Sequence, residues 1–141
     1  MHGEIITIGN ELVSGRTQDL NSWYAAGRLT ASGLKVIRVT SVGDDEKRTG
    51  DALKRALNSS HFVIVTGGLG STTDDMTCEI AADALDRPLC IDDQMLEKIE
   101  QYVRARKMQM TEPLKKMALM PEGARMINPK GATCGFSLVT G

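Results

Sequence analysis

The order of the apolar segments constrains this chain more than any other feature of its sequence. Short runs rich in β-branched residues alternate with segments of helical periodicity, in the order β-α-β-α-β-α, before further helices and shorter strands follow. This alternation is typical of a parallel sheet whose strands are connected by helices with right-handed crossovers. We therefore predict an α/β fold whose ligand lies beyond the carboxyl ends of the strands.

The individual elements can be placed along the chain from the same pattern. We predict strands at residues 4–9, 34–42 and 61–66, and helices at residues 21–32, 45–59, 75–86 and 93–107. Thr111 is predicted to cap a further short helix, and residues 88–91, 124–128 and 136–139 are predicted to be short extended segments. In the first helix, Trp23, Ala26 and Leu29 are expected on roughly one face.

Composition bounds the class of protein. The chain has 141 residues, of which 41% are apolar and 25% charged, so we predict a single globular domain over residues 1–141. A net charge of -1 leaves no basic excess for a phosphate backbone, which disfavours a nucleic-acid partner. The sequence has no transmembrane-length apolar run, no signal-peptide pattern, and no disulfide or zinc spacing among its cysteines. We expect a cytoplasmic protein without a membrane partner.

The strongest local signal is a glycine-rich loop between the third strand and the next helix. Its backbone N–H groups and hydroxyls suit a bound phosphate, although it lacks the lysine of a P-loop and the GxGxxG pattern. The alternative is a tight turn in which Asp75 is the N-cap of the helix. The candidate phosphate-binding residues are Thr66, Gly67, Gly68, Leu69, Gly70, Ser71 and Thr72.

Two other loops follow the first and second strands. In the second loop, Gly43 and Asp44 open an acidic helix start, which either complements the helix dipole or binds a cation. The first loop offers Glu11 as a further carboxylate and Arg16 as a phosphate clamp, or both as solvated side chains. Because all three loops follow strands, we expect them to form a site for a phosphorylated, nucleotide-like ligand with a divalent cation.

These loops also carry a family resemblance, in the segments IGNELVSGRTQDLN, SVGDDE and TGGLGSTTDDMT. They resemble the molybdopterin-binding-like domain that opens the competence/damage-inducible protein A (CinA) family, and MTEPLKKMALMPEGA and NPKGATCGF continue the resemblance. It implies a three-layer α/β/α sandwich with a mostly parallel sheet, and a homo-oligomer. The CinA branch is associated with metal-dependent hydrolysis of the ADP-ribose pyrophosphate, and its molybdopterin relatives bind the pterin phosphate and ATP.

The resemblance also assigns roles to residues. It implies that Asp44 and Asp75 are catalytic, and that both are metal candidates together with Glu11. The ligand-binding set gains Gly9, Asn10, Asn128 and Gly131. Asn10 stands where CinA-type sequences usually have threonine, and Ser71 and Cys134 stand where prolines are common. A proline-glycine loop is expected later in such a domain, so the domain is expected to be truncated at its C-terminal end.

Three functions follow as expectations. The first is a nucleotide-pyrophosphate hydrolase of the ADP-ribose type, in which a metal held by Asp44 and Asp75 assists attack of water on a phosphoanhydride. The second is binding of molybdopterin or the molybdenum cofactor, or its adenylylation. The third is a non-catalytic module that binds a nucleotide and forms oligomers. In each case the partner is a small molecule, a nucleotide or a pterin phosphate.

Overall fold

The α/β class that the sequence predicts is confirmed. The computed structural model describes residues 1–127 and 135–140, and strands and helices alternate along them. The chain divides into two compact units, Met1–Gly68 and Leu69–Gly141. Among residues 1–127 and 135–140, no helix is both long and apolar enough to cross a membrane.

The first unit is built on a three-stranded parallel sheet in the order β2-β1-β3. Its strands are β1 (His2–Ile8), β2 (Lys35–Val42) and β3 (Phe62–Thr66). The central strand, β1, is buried from Gly3 to its end, as its β-branched, apolar sequence predicts. The connecting helices are α1 (Asn10–Val13), α2 (Leu20–Ala31) and α3 (Glu46–Ser59).

Alternate residues of β1 face different helices. The hydroxyl of Thr7 donates to the carboxylate of Asp19, the N-cap of α2, whereas the Glu4 carboxylate accepts from Ser59 at the end of α3. Residues three apart on a strand point to opposite faces, so α2 and α3 cover the two faces of the sheet. This agrees with right-handed crossovers, because the chain moves from β1 to β2 in one direction and from β2 to β3 in the other.

Gly3 fits beneath an aromatic ring of the neighbouring strand. Gly3 and Phe62 are partners in the β1–β3 register, and a Cβ at Gly3 would lie 2.2–2.4 Å from three carbons of the Phe62 ring. The ring therefore occupies the space that a side chain at position 3 would take.

The prediction that Trp23 shares a face with Ala26 and Leu29 is wrong. Ala26 and Leu29 are half-buried, whereas Trp23 is exposed on the other side of α2. Trp23 lies about 120° from Leu29 around the helix axis, too far to share a narrow packing face. Ala25 also lies on the half-buried side of α2. This side contains small alanine side chains, and the indole of Trp23 does not belong to it.

The second unit combines helices with two short antiparallel strand pairs, β4-β5 and β6-β7. Its core consists of Met95, Ile99, Val103, Ala118 and Met120, so the regular apolar spacing of the fifth helix does mark its buried face. Thr111 caps the sixth helix as predicted, accepting from the Leu114 N–H. The elements are α4 (Thr77–Ala84), β4 (Leu89–Ile91), α5 (Asp93–Ala105), α6 (Glu112–Lys116), β5 (Leu119–Pro121), β6 (Arg125–Met126) and β7 (Phe136–Ser137).

Candidate functional site

The loops after β1 and β2 are joined by a reciprocal pair of hydrogen bonds. The backbone N–H of Asn10 donates to Asp44 Oδ2 at 3.1 Å, and the backbone N–H of Asp44 donates to Asn10 Oδ1 at 2.9 Å. Asn10 also begins α1, a short helix where the sequence indicated only a loop. The two candidate residues are therefore held together at the carboxyl ends of neighbouring parallel strands.

Gly43 makes this approach possible, because a Cβ there would lie 2.7 Å from Asn10 Oδ1. A Cβ at Gly9 would lie 2.6 Å from a carboxylate oxygen of the exposed Glu11 side chain. The backbone of Gly9 is tied to β2 as well, since its N–H donates to the Val42 carbonyl at 2.9 Å. The side chains of Asn10, Glu11 and Asp44 are exposed, so they are open to a ligand.

The carboxyl end of β3 lies at the same edge of the sheet as the carboxyl ends of β1 and β2. Thr66 ends the strand, and Gly67 and Gly68 follow with φ of +100° and +70°. A Cβ at Gly67 would lie only 2.3 Å from the carbonyl oxygen of Ile8, the last residue of β1. Both the backbone conformation and the contact require glycine at position 67. Within the first unit, the structure thus brings together the candidates that follow all three strands.

The remaining part of the glycine-rich loop lies in the second unit. Asp75 Oδ2 accepts hydrogen bonds from the Thr72 N–H at 3.0 Å and from the Thr72 hydroxyl at 2.6 Å. A Cβ at Gly70 would lie 2.5 Å from the same carboxylate oxygen. Leu69 and Ser71 are half-buried residues of this loop.

The alternative role of Asp75 as an N-cap is wrong. Helix α4 begins at Thr77, its N-cap is Met76, and no side chain makes a cap hydrogen bond there. The Asp75 carboxylate is instead directed back to Thr72, three residues earlier in the chain. The glycine-rich sequence before Asp75 permits this turn, which competes with capping for the same carboxylate.

The loop keeps Asp75 ionised. Desolvation by burial raises the pKa of Asp75, but the hydrogen bonds from the Thr72 side chain and backbone and from the Gly70 N–H outweigh it. The positive charge of Lys116 acts in the same direction as these hydrogen bonds, and the pKa lies below its ordinary value of 3.8. Asp75 is therefore a carboxylate at neutral pH.

Lys116 is a residue of this site that the sequence does not predict. Its ammonium group donates to the Thr72 carbonyl at 3.2 Å and to the Asp75 carbonyl at 2.5 Å. It also lies 3.6 Å from a carboxylate oxygen of Glu79. Lys116 ends α6, far from the loop in sequence, and one lysine of a Lys-Lys pair gives no signal of such a contact. The loop from Thr72 to Asp75 is thereby fastened to α6.

Another candidate, Arg16, does not join these groups. Arg16 is exposed, and its Nε donates to Ser14 Oγ at 3.3 Å, so it folds back on its own loop. Asn128 and Gly131 lie outside the described residues.

The residues do not fit the predicted divalent cation. Among residues 1–127 and 135–140, no group of three or more histidines, cysteines, aspartates and glutamates could hold a metal ion. Asp44 Oδ2 already accepts from Asn10, and Asp75 Oδ2 accepts two donors from Thr72. Divalent cations of this kind prefer several oxygen ligands. Hydrogen-bond donors occupy these carboxylates instead, so we assign no catalytic step to a metal.

Comparisons of the sequence with known proteins identify one family. The model of the family described as "Probable molybdopterin binding domain" matches residues 4–140. A protein of Metallosphaera sedula is 43% identical over 137 residues, which cover 96% of this chain and 52% of the relative. The chain thus spans about half of that protein, and about a third of the CinA-like proteins of Solibacter usitatus and Chlorobium phaeovibrioides.

Solved structures agree with the sequence comparison. The protein CinA of Thermoplasma acidophilum, described as having unknown function, superposes with a TM-score of 0.92 at 36% identity. The match covers 100% of this chain and 84% of that protein. A molybdopterin biosynthesis protein from Mycobacterium abscessus has a TM-score of 0.58 at 20% identity, covering 96% of this chain and 78% of its own. This more distant likeness concerns the fold alone.

Proposed function

This chain belongs to the molybdopterin-binding-type domain family, in its CinA-like branch, and we propose that it binds a phosphorylated small molecule of the pterin or nucleotide class. One observation carries the proposal: each of the three parallel strands of the first unit is followed by a glycine at which a Cβ would lie 2.3–2.7 Å from a neighbouring atom, beside exposed polar side chains. Such strand ends let a ligand approach the backbone closely. That the chain is one domain remains a prediction.

Charge suggests how a ligand would be oriented. Glu11 and Asp44 repel a phosphate, but they can accept hydrogen bonds from ribose hydroxyls or from the N–H groups of a pterin ring. The phosphate would lie against the start of the glycine-rich segment, where Thr66 and backbone N–H groups can donate hydrogen bonds. We therefore assign phosphate binding to the glycine-rich loop and recognition of the sugar or ring to the first two loops.

Hydrolysis of an ADP-ribose-type pyrophosphate is a second candidate function, and the Asp75 carboxylate, held in place by two hydrogen bonds from Thr72, favours it. Water would attack one phosphorus atom, the bridging P–O bond would break, and AMP and ribose 5-phosphate would leave. A carboxylate with a lowered pKa is a weak base, so Asp75 would orient the water rather than deprotonate it. The proton would pass to solvent.

Adenylyl transfer to a pterin and binding without turnover are the other candidates from the sequence. Each requires a different set of ligands. Adenylyl transfer needs ATP and a pterin substrate together, whereas a binding module forms a stable complex and releases no product. The same purified protein can therefore be tested for all of these functions.

The first experiment is calorimetric titration of the chain with ADP-ribose, AMP, ATP and inorganic phosphate, with AMP release followed by chromatography. Asp44→Asn and Asp75→Asn are the test variants, and Asp51→Asn, an exposed acid of α3, is the matched control. Binding that weakens in a test variant but not in the control supports the proposed site. AMP release that is lost in Asp75→Asn adds the hydrolase function. If none of these compounds nor a phosphorylated pterin binds, the proposal is wrong.

A further inference from the structure

The two histidines of the chain lie in contact, although they are 59 positions apart in the sequence. His2 begins β1 and His61 immediately precedes β3, and their ring centroids are 4.2 Å apart with the ring planes at 75°. This contact lies at the amino ends of the two strands, whereas the candidate loops follow their carboxyl ends. The proposed function therefore makes no use of the pair.

Backbone hydrogen bonds fix the positions of both histidines. The His61 N–H donates to the His2 carbonyl at 3.0 Å, and the His2 N–H donates to His61 Nδ1 at 3.2 Å. The regular pairing of β1 with β3 begins at the next residues, where Gly3 is the partner of Phe62. The sheet itself therefore holds the two rings side by side.

One nitrogen of each ring also contacts a backbone carbonyl. His2 Nε2 lies 3.1 Å from the Ser59 carbonyl oxygen, and His61 Nδ1 lies 3.3 Å from the His2 carbonyl oxygen. A ring nitrogen that donates to a carbonyl carries the proton, so the other nitrogen of a neutral ring has a free lone pair. Histidines that bind metal ions usually make such a contact, which fixes the tautomer and the orientation of the ring.

His61 can make this contact in one of its two neutral tautomers. Without a proton, Nδ1 accepts from the His2 N–H, and with a proton it donates to the His2 carbonyl. A metal ion at Nε2 requires the second tautomer, because Nε2 must then provide its lone pair. Metal binding would therefore exchange one backbone hydrogen bond of this ring for another that is already within reach.

We propose that His2 and His61 bind one late first-row divalent metal ion, such as Zn²⁺, through His2 Nδ1 and His61 Nε2. Imidazole nitrogens suit Zn²⁺, whereas Mg²⁺ prefers oxygen ligands. With metal–nitrogen bonds of about 2.0–2.1 Å, two imidazoles on one ion have ring centroids roughly 4.5–5 Å apart. The observed separation is 4.2 Å, so binding requires only a small increase in the distance between the rings.

Two protein ligands define the kind of site. Among residues 1–127 and 135–140, no third histidine, cysteine, aspartate or glutamate forms a metal-binding group with this pair. Water would occupy the remaining coordination positions, so the ion would exchange with solvent more readily than a structural zinc with four protein ligands. Because the ion joins β1 to β3 in the folded chain alone, it would stabilise that state.

Calorimetric titration of the untagged chain with Zn²⁺, up to about 1 mM, tests this site. We expect one Zn²⁺ per chain, and binding at least about tenfold weaker in His2→Gln and in His61→Gln, since even the loss of a contact that supports a metal ligand costs about 10–100-fold. Mg²⁺ should not compete. Thermal unfolding without metal checks that both variants fold, and added Zn²⁺ should raise the Tm of the parent chain but not of the variant that combines both changes.

Two control variants separate the histidine pair from other ligands of Zn²⁺. Cys90→Ser removes an exposed thiol, and Asp44→Asn removes a carboxylate of the candidate site, so both should bind Zn²⁺ like the parent chain. Zn²⁺ should also slow hydrogen exchange of the His61 amide, which donates to His2. No binding up to about 1 mM, or equal binding by the parent chain and both histidine variants, would overturn the proposal. Loss of binding in Cys90→Ser would overturn it as well, because the thiol would then be the ligand.

Discussion

Asn10 and Asp44 exchange hydrogen bonds between backbone and side chain, and in doing so they join the loops that follow two neighbouring strands. Neither residue is buried, so the pair is held in contact with solvent. The contact depends on Gly43, where any side chain would meet the Asn10 amide. Changes at this pair should therefore alter the local order of the two loops more than the stability of the whole sheet.

Replacing Asn10 by alanine tests this relationship. Asn10→Ala removes the acceptor of the Asp44 N–H, and we expect a loss of about 1 kcal/mol in the free energy of unfolding, the usual net value of one hydrogen bond. Hydrogen exchange at the Asp44 amide should accelerate in the folded protein. The control is Asn58→Ala, an exposed asparagine of α3, which should change neither quantity. Unchanged exchange at Asp44 in Asn10→Ala would contradict the prediction.

Lys116 can be tested against its neighbour in the sequence. Lys116→Met retains most of the aliphatic stem but removes the donors to the Thr72 and Asp75 carbonyls. We expect faster hydrogen exchange over residues 72–75 and about tenfold weaker binding of a phosphorylated ligand, the equivalent of one charge-assisted hydrogen bond. The pKa of Asp75 should rise, because the nearby positive charge is lost.

Lys115→Met is the matched control, since Lys115 is exposed and precedes Lys116 in the same helix. It should leave the exchange of the loop and the pKa of Asp75 unchanged. If the two lysine variants behave alike, the effect comes from net charge and not from the contact of Lys116 with the loop.

For the buried carboxylate of Glu4, we predict that removing its arginine partners costs more stability than removing the carboxylate itself. Glu4 is fully buried, with Ser59 Oγ at 2.6 Å and an arginine on each side, Arg38 Nη1 at 3.4 Å and Arg55 Nη2 at 3.8 Å. Both arginines are about half exposed, so water can solvate them without Glu4. Removing both arginines leaves an uncompensated buried charge, which costs about 3–5 kcal/mol.

Urea unfolding of three variants checks this asymmetry. The double variant Arg38→Met/Arg55→Met should lose more stability than Glu4→Gln, whose amide oxygen can still accept from Ser59. A triple variant that combines all three changes should be more stable than the double variant. If the triple variant is no more stable than the double one, the arginines stabilise the sheet by packing alone.

The lowered pKa of Asp19 predicts that the free energy of unfolding depends on pH. Burial raises the pKa of Asp19, but hydrogen bonds from Ser22, Thr7 and Ser41 outweigh it, and the pKa lies below its ordinary value of 3.8. The folded state then binds this proton more weakly than the unfolded chain, so the stabilisation is fully present above the ordinary carboxyl pKa. It is lost as the pH falls through the lowered value.

The variant Asp19→Ala should cost about 1 kcal/mol at about pH 7, the usual value of an N-cap, and clearly less at about pH 3. Urea unfolding at the two pH values measures the difference. Asp51→Asn is the control, and its effect should be small at both pH values. A cost for Asp19→Ala that is the same at both would show that its hydrogen bonds do not depend on ionisation.

Strands and long helices of this fold could be predicted because their patterns are local. The three parallel strands follow from β-branched runs, and α5 follows from the spacing of Ile99 and Val103. The sequence predicts the wrong side of the helix for Trp23, because apolar spacing does not show which neighbour covers an apolar residue. The strand β5 is three residues long and gives no periodicity.

The candidate site was predictable only where its parts follow strands directly. Gly9, Gly43 and Gly67 come immediately after strand segments, so topology alone places them at one edge of the sheet. Lys116 reaches its loop from a distant helix, and only the folded chain shows the contact. The Asp75 turn was missed because the same carboxylate could equally have capped a helix.

Gly3 and Phe62 have a consequence for how this sequence can change. The ring fills the space that a side chain at position 3 would need, so the two residues share one fixed volume across β1 and β3. A larger residue at position 3 requires a smaller residue at position 62. Enlarging position 3 alone would overfill this space, and shortening position 62 alone would leave a cavity. We expect related sequences to vary these two positions together, with the summed size of the pair kept nearly constant.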